Sequence, residues 1–117
     1  MLSAISSAVS GLQAYSVKTQ ATANNVANMN TEGFKRDVVT LSSQVPQGVS
    51  ANVSKDRSSG AMVAETTSNG TEMVEQSNTD LVQEMPDLIM EKNGFSANIK
   101  TLQATDQMLK SIIDLKT

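Results

Sequence analysis

Residues 78–117 read NTDLVQEMPDLIMEKNGFSANIKTLQATDQMLKSIIDLKT, and their spacing decides the fold. Leu81, Met85, Leu88, Phe95, Ile99, Leu102, Leu109 and Ile113 step along in alternating threes and fours, with Lys92 and Asp106 at the skipped steps. Such spacing lays one narrow apolar stripe along a helix, as at a coiled-coil seam. Ile89, Met90, Met108 and Ile112 widen it toward a second face. At 1.5 Å per residue this helix reaches roughly 50 Å. It cannot bury its stripe against itself and requires a partner helix.

Its start carries a conflict. Asp80 with Gln83 predicts a capping box. Pro86 then removes a backbone donor inside the first two turns, which predicts a kink near Met85 or a short turn handing over to a main helix at Pro86. Asn93-Gly94 is a second weak point, but the stripe passes through it in phase, so one continuous helix is expected. Asp80, Glu84 and Asp87 near the start and Lys110 and Lys116 near the end suit the helix dipole.

The opposite chain end supplies the partner. Leu2, Ile5, Val9, Leu12, Ser16, Thr19, Ala23 and Val26 repeat the same alternation, predicting a helix from about Leu2 to about Asn28. Lys18 is its only charge, and its outward face is Ser, Ala, Gln, Thr and Asn. These are mediocre helix formers, so the helix depends on packing. That small-sided surface suits close approach by neighbouring helices. The run from Asn24 to Gly33 then predicts a helix stop and a turn. Asn24 and Asn28 share a face at i and i+4; they either stop the helix or fix register at a seam.

The middle, residues 37–76, is rich in Ser, Thr, Gly, Asn and Val. Val38–Leu41 is β-prone, and Val49, Ala51 and Val53 alternate with polar residues, so the two segments are expected to pair across Pro46-Gln47-Gly48. Met62–Thr67 and Thr71–Val74 flank Ser68-Asn69-Gly70, a strong hairpin signal. Residues 55–60 between them read as loop.

Composition narrows function. With 38% hydrophobic and 3% aromatic residues in 117, the chain has few large anchors for a dense globular core. A formal net charge of -3 argues against nucleic acid and against a basic membrane-surface helix. The sequence has no Cys and no His. That removes thiol chemistry, disulfides and the commonest general base and metal ligand. No phosphate loop, nucleophile elbow or Ser-x-x-Lys is present. Asp80, Glu84, Asp87 and Glu91 fall at helical spacing, but they read as a solvated acidic face rather than an acid–base pair or hard-cation site. No catalytic residue, metal or cofactor is therefore assigned. Residues 1–7 lack the basic start and apolar core of a secretory signal.

The run Ala23-Asn24-Asn25-Val26-Ala27-Asn28-Met29-Asn30-Thr31-Glu32-Gly33-Phe34-Lys35-Arg36, with Ser7–Ala14 before it, resembles the N-terminal signature of the bacterial flagellar rod and hook family. Residues 77–85, Gly94-Phe95-Ser96-Ala97-Asn98, residues 106–109 and Leu115 resemble that family's closing motif. The resemblance implies a non-enzymatic axial subunit, exported unfolded by the flagellar type III apparatus. Its terminal helices would pack on each other and on neighbouring subunits. The short chain leaves no room for the large outer domains of hook and distal-rod members. It thus points to a proximal-rod type located in the periplasmic basal body.

The expected architecture is mainly α. It comprises an N-terminal helix and turn (1–36), a small β-rich segment (37–76) and a long C-terminal helix (77–117), the two helices forming an antiparallel coiled-coil-like hairpin. Leu2, Ile5, Val9 and Leu12 are expected to meet Phe95, Ile99, Leu102, Leu109 and Ile113. The packing and subunit interface is assigned to those residues with Asn24, Asn25, Asn28, Gly33, Phe34, Leu81, Leu88 and Asn98. Partners are copies of the chain, other rod or hook subunits and the export machinery, with neither nucleic acid nor lipid. The competing reading is a soluble helical-hairpin adaptor that captures one partner.

Overall fold

The apolar period at each chain end produces one long helix, α1 at Leu2–Ala27 and α2 at Leu81–Lys116. The computed structural model describes residues 1–116, so the expectation of helix at Thr117 lies outside the described residues. Between the helices β1 (Asp37–Ser43) pairs antiparallel with β2 (Val49–Lys55), and β3 (Met62–Thr67) with β4 (Gly70–Glu75). Gly11 faces Asn98, Tyr15 faces Gly94 and Asn25 meets Glu84, so the helices run antiparallel. The fold is thus two long terminal helices around a small β-rich middle.

Local chemistry sets the ends of these elements. The Asn28 N–H donates to Asn24 O and Asn25 O, and Asn28 Nδ2 donates to Asn24 O at 2.9 Å. Of the two readings left open for Asn24 and Asn28, they stop the helix: Asn24 is exposed and their bonds close α1's last turn. Asn28 has φ −106°, so the left-handed step falls at Gly33, φ +65°. Asp80 caps α2 through Oδ1, which accepts from Val82 N at 2.9 Å. The reciprocal half of the capping box is absent, because Gln83 Oε1 accepts from Arg36 instead. Pro86 does not break α2 into a turn and a main helix; one helix runs through it. The acceptor it leaves without a donor belongs to Val82, which is 81% exposed. In the β3–β4 turn, Gly70 at φ +128° takes the left-handed step, not Asn69.

Packing departs from the apolar stripes. The buried face of α1 is Ala8, Gly11, Ala14, Ala21, Thr22 and Asn25, and that of α2 is Glu84, Glu91 and Thr105. On α1 this lies one residue behind the stripe of Val9, Leu12, Ala23 and Val26. On α2, Glu84, Glu91, Asn98 and Thr105 recur at heptad intervals and turn inward, while Met85 and Ile113 stand exposed. The expected seam is therefore rotated. Ile5 shares a recess with Leu102 and Leu109, yet Leu2 and Ile113 are 83% and 63% exposed. The helices approach through small residues, and among the described residues the buried apolar side chains are three alanines.

The other side of α1 is covered by the chain itself. α1 packs against β1 and β2, where Ala14 shares a recess with Val49 and Ala51, and Ala21 one with Val38 and Val39. The β1–β2 tip rests on Ser10, whose Oγ accepts from Val49 N at 3.2 Å. Part of the small-sided back expected to meet neighbouring subunits is thus occupied within the chain. By contrast, β3–β4 contacts neither helix. The molecule spans 81 × 24 × 19 Å, with a radius of gyration of 20.8 Å against about 13 Å for a compact chain of this length.

A Cβ at Gly94 would overlap the Tyr15 ring. Gly94→Leu should therefore destabilise the hairpin by about 1–2 kcal/mol, overpacking outweighing the gain in helix propensity. Tyr15→Ala in the same chain should recover part of that loss. Thermal unfolding followed by far-UV circular dichroism measures both.

Candidate assembly interface

Three strands of polar chemistry converge where α1 ends, β1 begins and α2 starts. Asn25 is 1% exposed, and its side chain imitates a strand partner. Asp37 N donates to Asn25 Oδ1 at 2.7 Å, while Asn25 Nδ2 donates to Asp37 O at 2.8 Å. The same Nδ2 lies 3.3 Å from Glu84 Oε1 on α2. Arg36 completes the join: its Nη1 donates to Gln83 Oε1 at 2.8 Å, and its Nε lies 3.5 Å from Glu84 Oε1. That second approach is an ion pair without hydrogen-bond geometry. Glu84 is 2% exposed, so Arg36 neutralises a carboxylate that would otherwise be buried alone.

Asn78 ties the incoming chain to the same base. Its Oδ1 accepts from Arg36 N at 2.7 Å, and its Nδ2 donates to Asp56 O and Ser58 O. Lys35 Nζ binds Glu75 Oε1 at 2.6 Å, and Gly60 N donates to that oxygen. Together these bonds hold the Glu75 carboxyl below its ordinary range. Lys55 Nζ pairs with Asp37 Oδ1 at 2.8 Å and lies 5.0 Å above the Phe34 ring. Burial works to raise the Asp37 carboxyl, but Lys55 and Asn24 outweigh it and hold the group low.

Further along the seam sits Glu91, 0% exposed. Its Oε1 accepts from Thr22 Oγ1 at 2.8 Å, and Oε2 has no hydrogen-bond partner. Burial pushes this carboxyl above its ordinary value, with Asp87 adding to the push and Thr22 and Lys18 opposing it. The acidic row expected to be solvated is thus split: Asp80 is exposed, while Glu84 and Glu91 lie inside. Arg36, Asp37, Asn78 and Glu91 are structural residues that apolar spacing does not reveal. Glu84 and Glu91 carried one signal, a heptad interval continued by Asn98 and Thr105.

Of the expected interface residues, Asn24 and Asn28 close the last turn of α1, and the others fall into three groups. Asn25, Gly33, Phe34 and Asn98 lie in the base or on the helix seam. Ile5, Leu12, Leu88, Leu102 and Leu109 are half-buried at its edges. Leu2, Val9, Leu81, Phe95, Ile99 and Ile113 are exposed, as are Val82, Met85, Ile89, Met90, Met108 and Ile112. The surface totals 8036 Å², against about 6,100 Å² for a compact monomer of this mass. These exposed apolar side chains are distributed along both helices.

Residues 5–35 match the family model described as "Flagella basal body rod protein", and residues 71–115 match "Flagellar basal body rod FlgEFG protein C-terminal". The chain is also similar to the flagellar hook protein FlgE of Borreliella burgdorferi, at 39% identity over 44 residues. It is 42% identical over 43 residues to FlgE of Treponema pallidum. These alignments cover 38% and 37% of this chain, and 10% and 9% of the hook proteins. The matched stretch thus spans about a tenth of the length of these curated relatives.

Asn25→Ala should cost about 3 kcal/mol, because it strands the Asp37 N–H and removes a donor from Glu84, whereas exposed Asn24→Ala should cost under about 0.5 kcal/mol. Urea unfolding compares them. Glu91 has the opposite sign to Asp37. Because its folded value is raised, its contribution is fully present below the ordinary carboxylate value and is lost as pH rises through the folded value. Glu91→Gln should therefore stabilise the hairpin at pH 7 by about 1 kcal/mol, and the gain should vanish near pH 4. Equal effects at both pH values would contradict this account.

Proposed function

The chain belongs to the family of flagellar axial proteins that build rod and hook, and from that premise we propose that it is a structural rod subunit polymerising through α1 and α2. The observation that carries the proposal is where the matched stretches fall. Residues 5–35 and 71–115 comprise nearly all of both helices, and these helices leave many of their large apolar side chains exposed. A lone chain leaves those side chains in water. Neighbouring copies would cover them.

The rod reading rests on the stretch between the two matches. Residues 36–70 hold β1, β2 and β3 and little else, where hook members of the family are expected to carry large outer domains. In this reading the interface comprises the exposed rows with Leu2, Val9, Leu81, Phe95, Ile99 and Ile113. The base around Asn25 and Glu84 sets the angle at which they are offered. The three segments divide the work: 1–36 and 77–117 form the inner tube, and 37–76 braces it. Contacts between copies are heterologous and need not close, which generates a filament. The role is mechanical rather than catalytic, and its place is the periplasmic rod after type III export. Partners are copies of this chain and other axial subunits.

The test is assembly. Sedimentation velocity over a wide concentration range should show growth beyond monomer, with helical circular dichroism rising in step. Ile113→Lys, at a side chain already 63% exposed, should leave the monomer's unfolding within about 0.5 kcal/mol of wild type and suppress that growth. A discrete, well-folded monomer at every concentration would favour the single-partner adaptor instead.

A further inference from the structure

Among the described residues, the β3–β4 hairpin packs against no other helix or strand. It contacts neither helix and not the β1–β2 hairpin. Two strands alone are marginal in water, so something else must hold this pair. Its register sorts the side chains by face. Val63 pairs with Val74 and Glu65 with Glu72, so two valines and two carboxylates share one side. Like charges directly opposed across a pair are destabilising. No basic side chain forms an ion pair with either glutamate among the described residues. This face thus carries both an apolar patch and an uncompensated acidic pair.

A complementary surface lies on the helix pair. Between α1 and α2 is a recess of about 500 Å³, lined by Ser16, Thr19, Gln20, Leu88, Lys92 and Phe95. Leu88 and Phe95 supply an apolar floor. Lys92 lines it as well, and Lys100 follows two turns along α2; both are exposed, and neither forms an ion pair among the described residues. The recess and the arm do not meet within one chain. The arm's root is held at the base by Lys35–Glu75 and by Gly60 N and Gly33 N, which donate to Glu75.

We propose that the Val63/Val74–Glu65/Glu72 face of the β3–β4 arm docks on the Leu88–Lys92–Phe95 recess of a second copy of this chain. The inference rests on the polymerising role above and adds its second contact: helix rows hold the copies side by side, and the arm links each to the next. Two different surfaces are used, so the contact is heterologous and propagates without closing. The two valines cover the recess, and the carboxylates meet Lys92 and Lys100. Each surface supplies the charge the other lacks.

The chain contains no cysteine, which makes the test clean. Glu72→Cys and Lys92→Cys proteins, mixed at a concentration where the wild type assembles and then oxidised, should give a disulfide-linked heterodimer. Met73→Cys mixed with Lys92→Cys should give several-fold less, because Met73 lies on the arm's other face. Glu65→Lys with Glu72→Lys should raise the concentration midpoint for assembly about tenfold, and adding Lys92→Glu and Lys100→Glu to that chain should restore it. If particles form by sedimentation but the 72–92 link does not exceed the 73–92 control, the arm contact is wrong and the helix-based assembly stands. If the reversed-charge variant assembles like wild type, the arm contact is equally overturned. Failure of the wild type to assemble at any concentration overturns both readings.

Discussion

The whole arrangement turns on the side chain of Asn25, which takes the place of a β-strand partner for Asp37 and at once faces Glu84. Those bonds fix three things together: where α1 ends, in which direction β1 departs, and how α2 is rotated about its own axis. A carboxylate as deeply buried as Glu84 needs a cation, and Arg36 is delivered to it by the same turn. Asn78, bonded to the Arg36 amide, returns the chain to that point after an excursion of two hairpins. The base is thus a polar knot in which each member leaves another unsatisfied if removed.

Rotation of α2 follows from that knot. With Glu84 facing α1, every heptad step from it must face α1 too, and those steps are Glu91, Asn98 and Thr105. Large apolar residues at the neighbouring positions are turned toward the edges and the solvent. Gly11 and Gly94 then become necessary, since the Asn98 and Tyr15 side chains occupy the space a Cβ would need. The outcome is a hairpin whose inner face specifies register and whose outer face holds most of the hydrophobic driving force. Covering one such Leu or Ile is worth about 1.5–3 kcal/mol, so a row of them contributes more than the three buried alanines do.

Periodicity alone made the elements legible. Two helices, their approximate ends and both hairpins follow from apolar spacing and turn residues, and each forms close to where that reading puts it. Rotation about the helix axes was not legible in the same signal. Apolar spacing identifies a stripe, but which neighbour covers it depends on hydrogen bonds between residues far apart in the chain, such as Asn25 and Glu84. The acidic row near the start of α2 shows the cost of reading charge locally. Asp80 and Glu84 look alike in sequence, yet one caps a helix in water and the other is enclosed beside Arg36. Gln83 shows the same competition: a local capping role gave way to a long-range bond with Arg36.

A polar inner seam has a consequence for stability that an apolar one would not. Glu91 is enclosed with one oxygen unpartnered, so the isolated hairpin holds a carboxyl in surroundings that resist its charge. That weakens the helix pair near neutral pH without altering which residues face which, because Asn25, Glu84 and Asn98 still select the register. The fold thus has a definite register without a large apolar seam of its own. The apolar rows lie on the outer side, left uncovered by the chain's own fold. Register therefore comes from the polar inner face, while most of the large apolar area lies on the outer one.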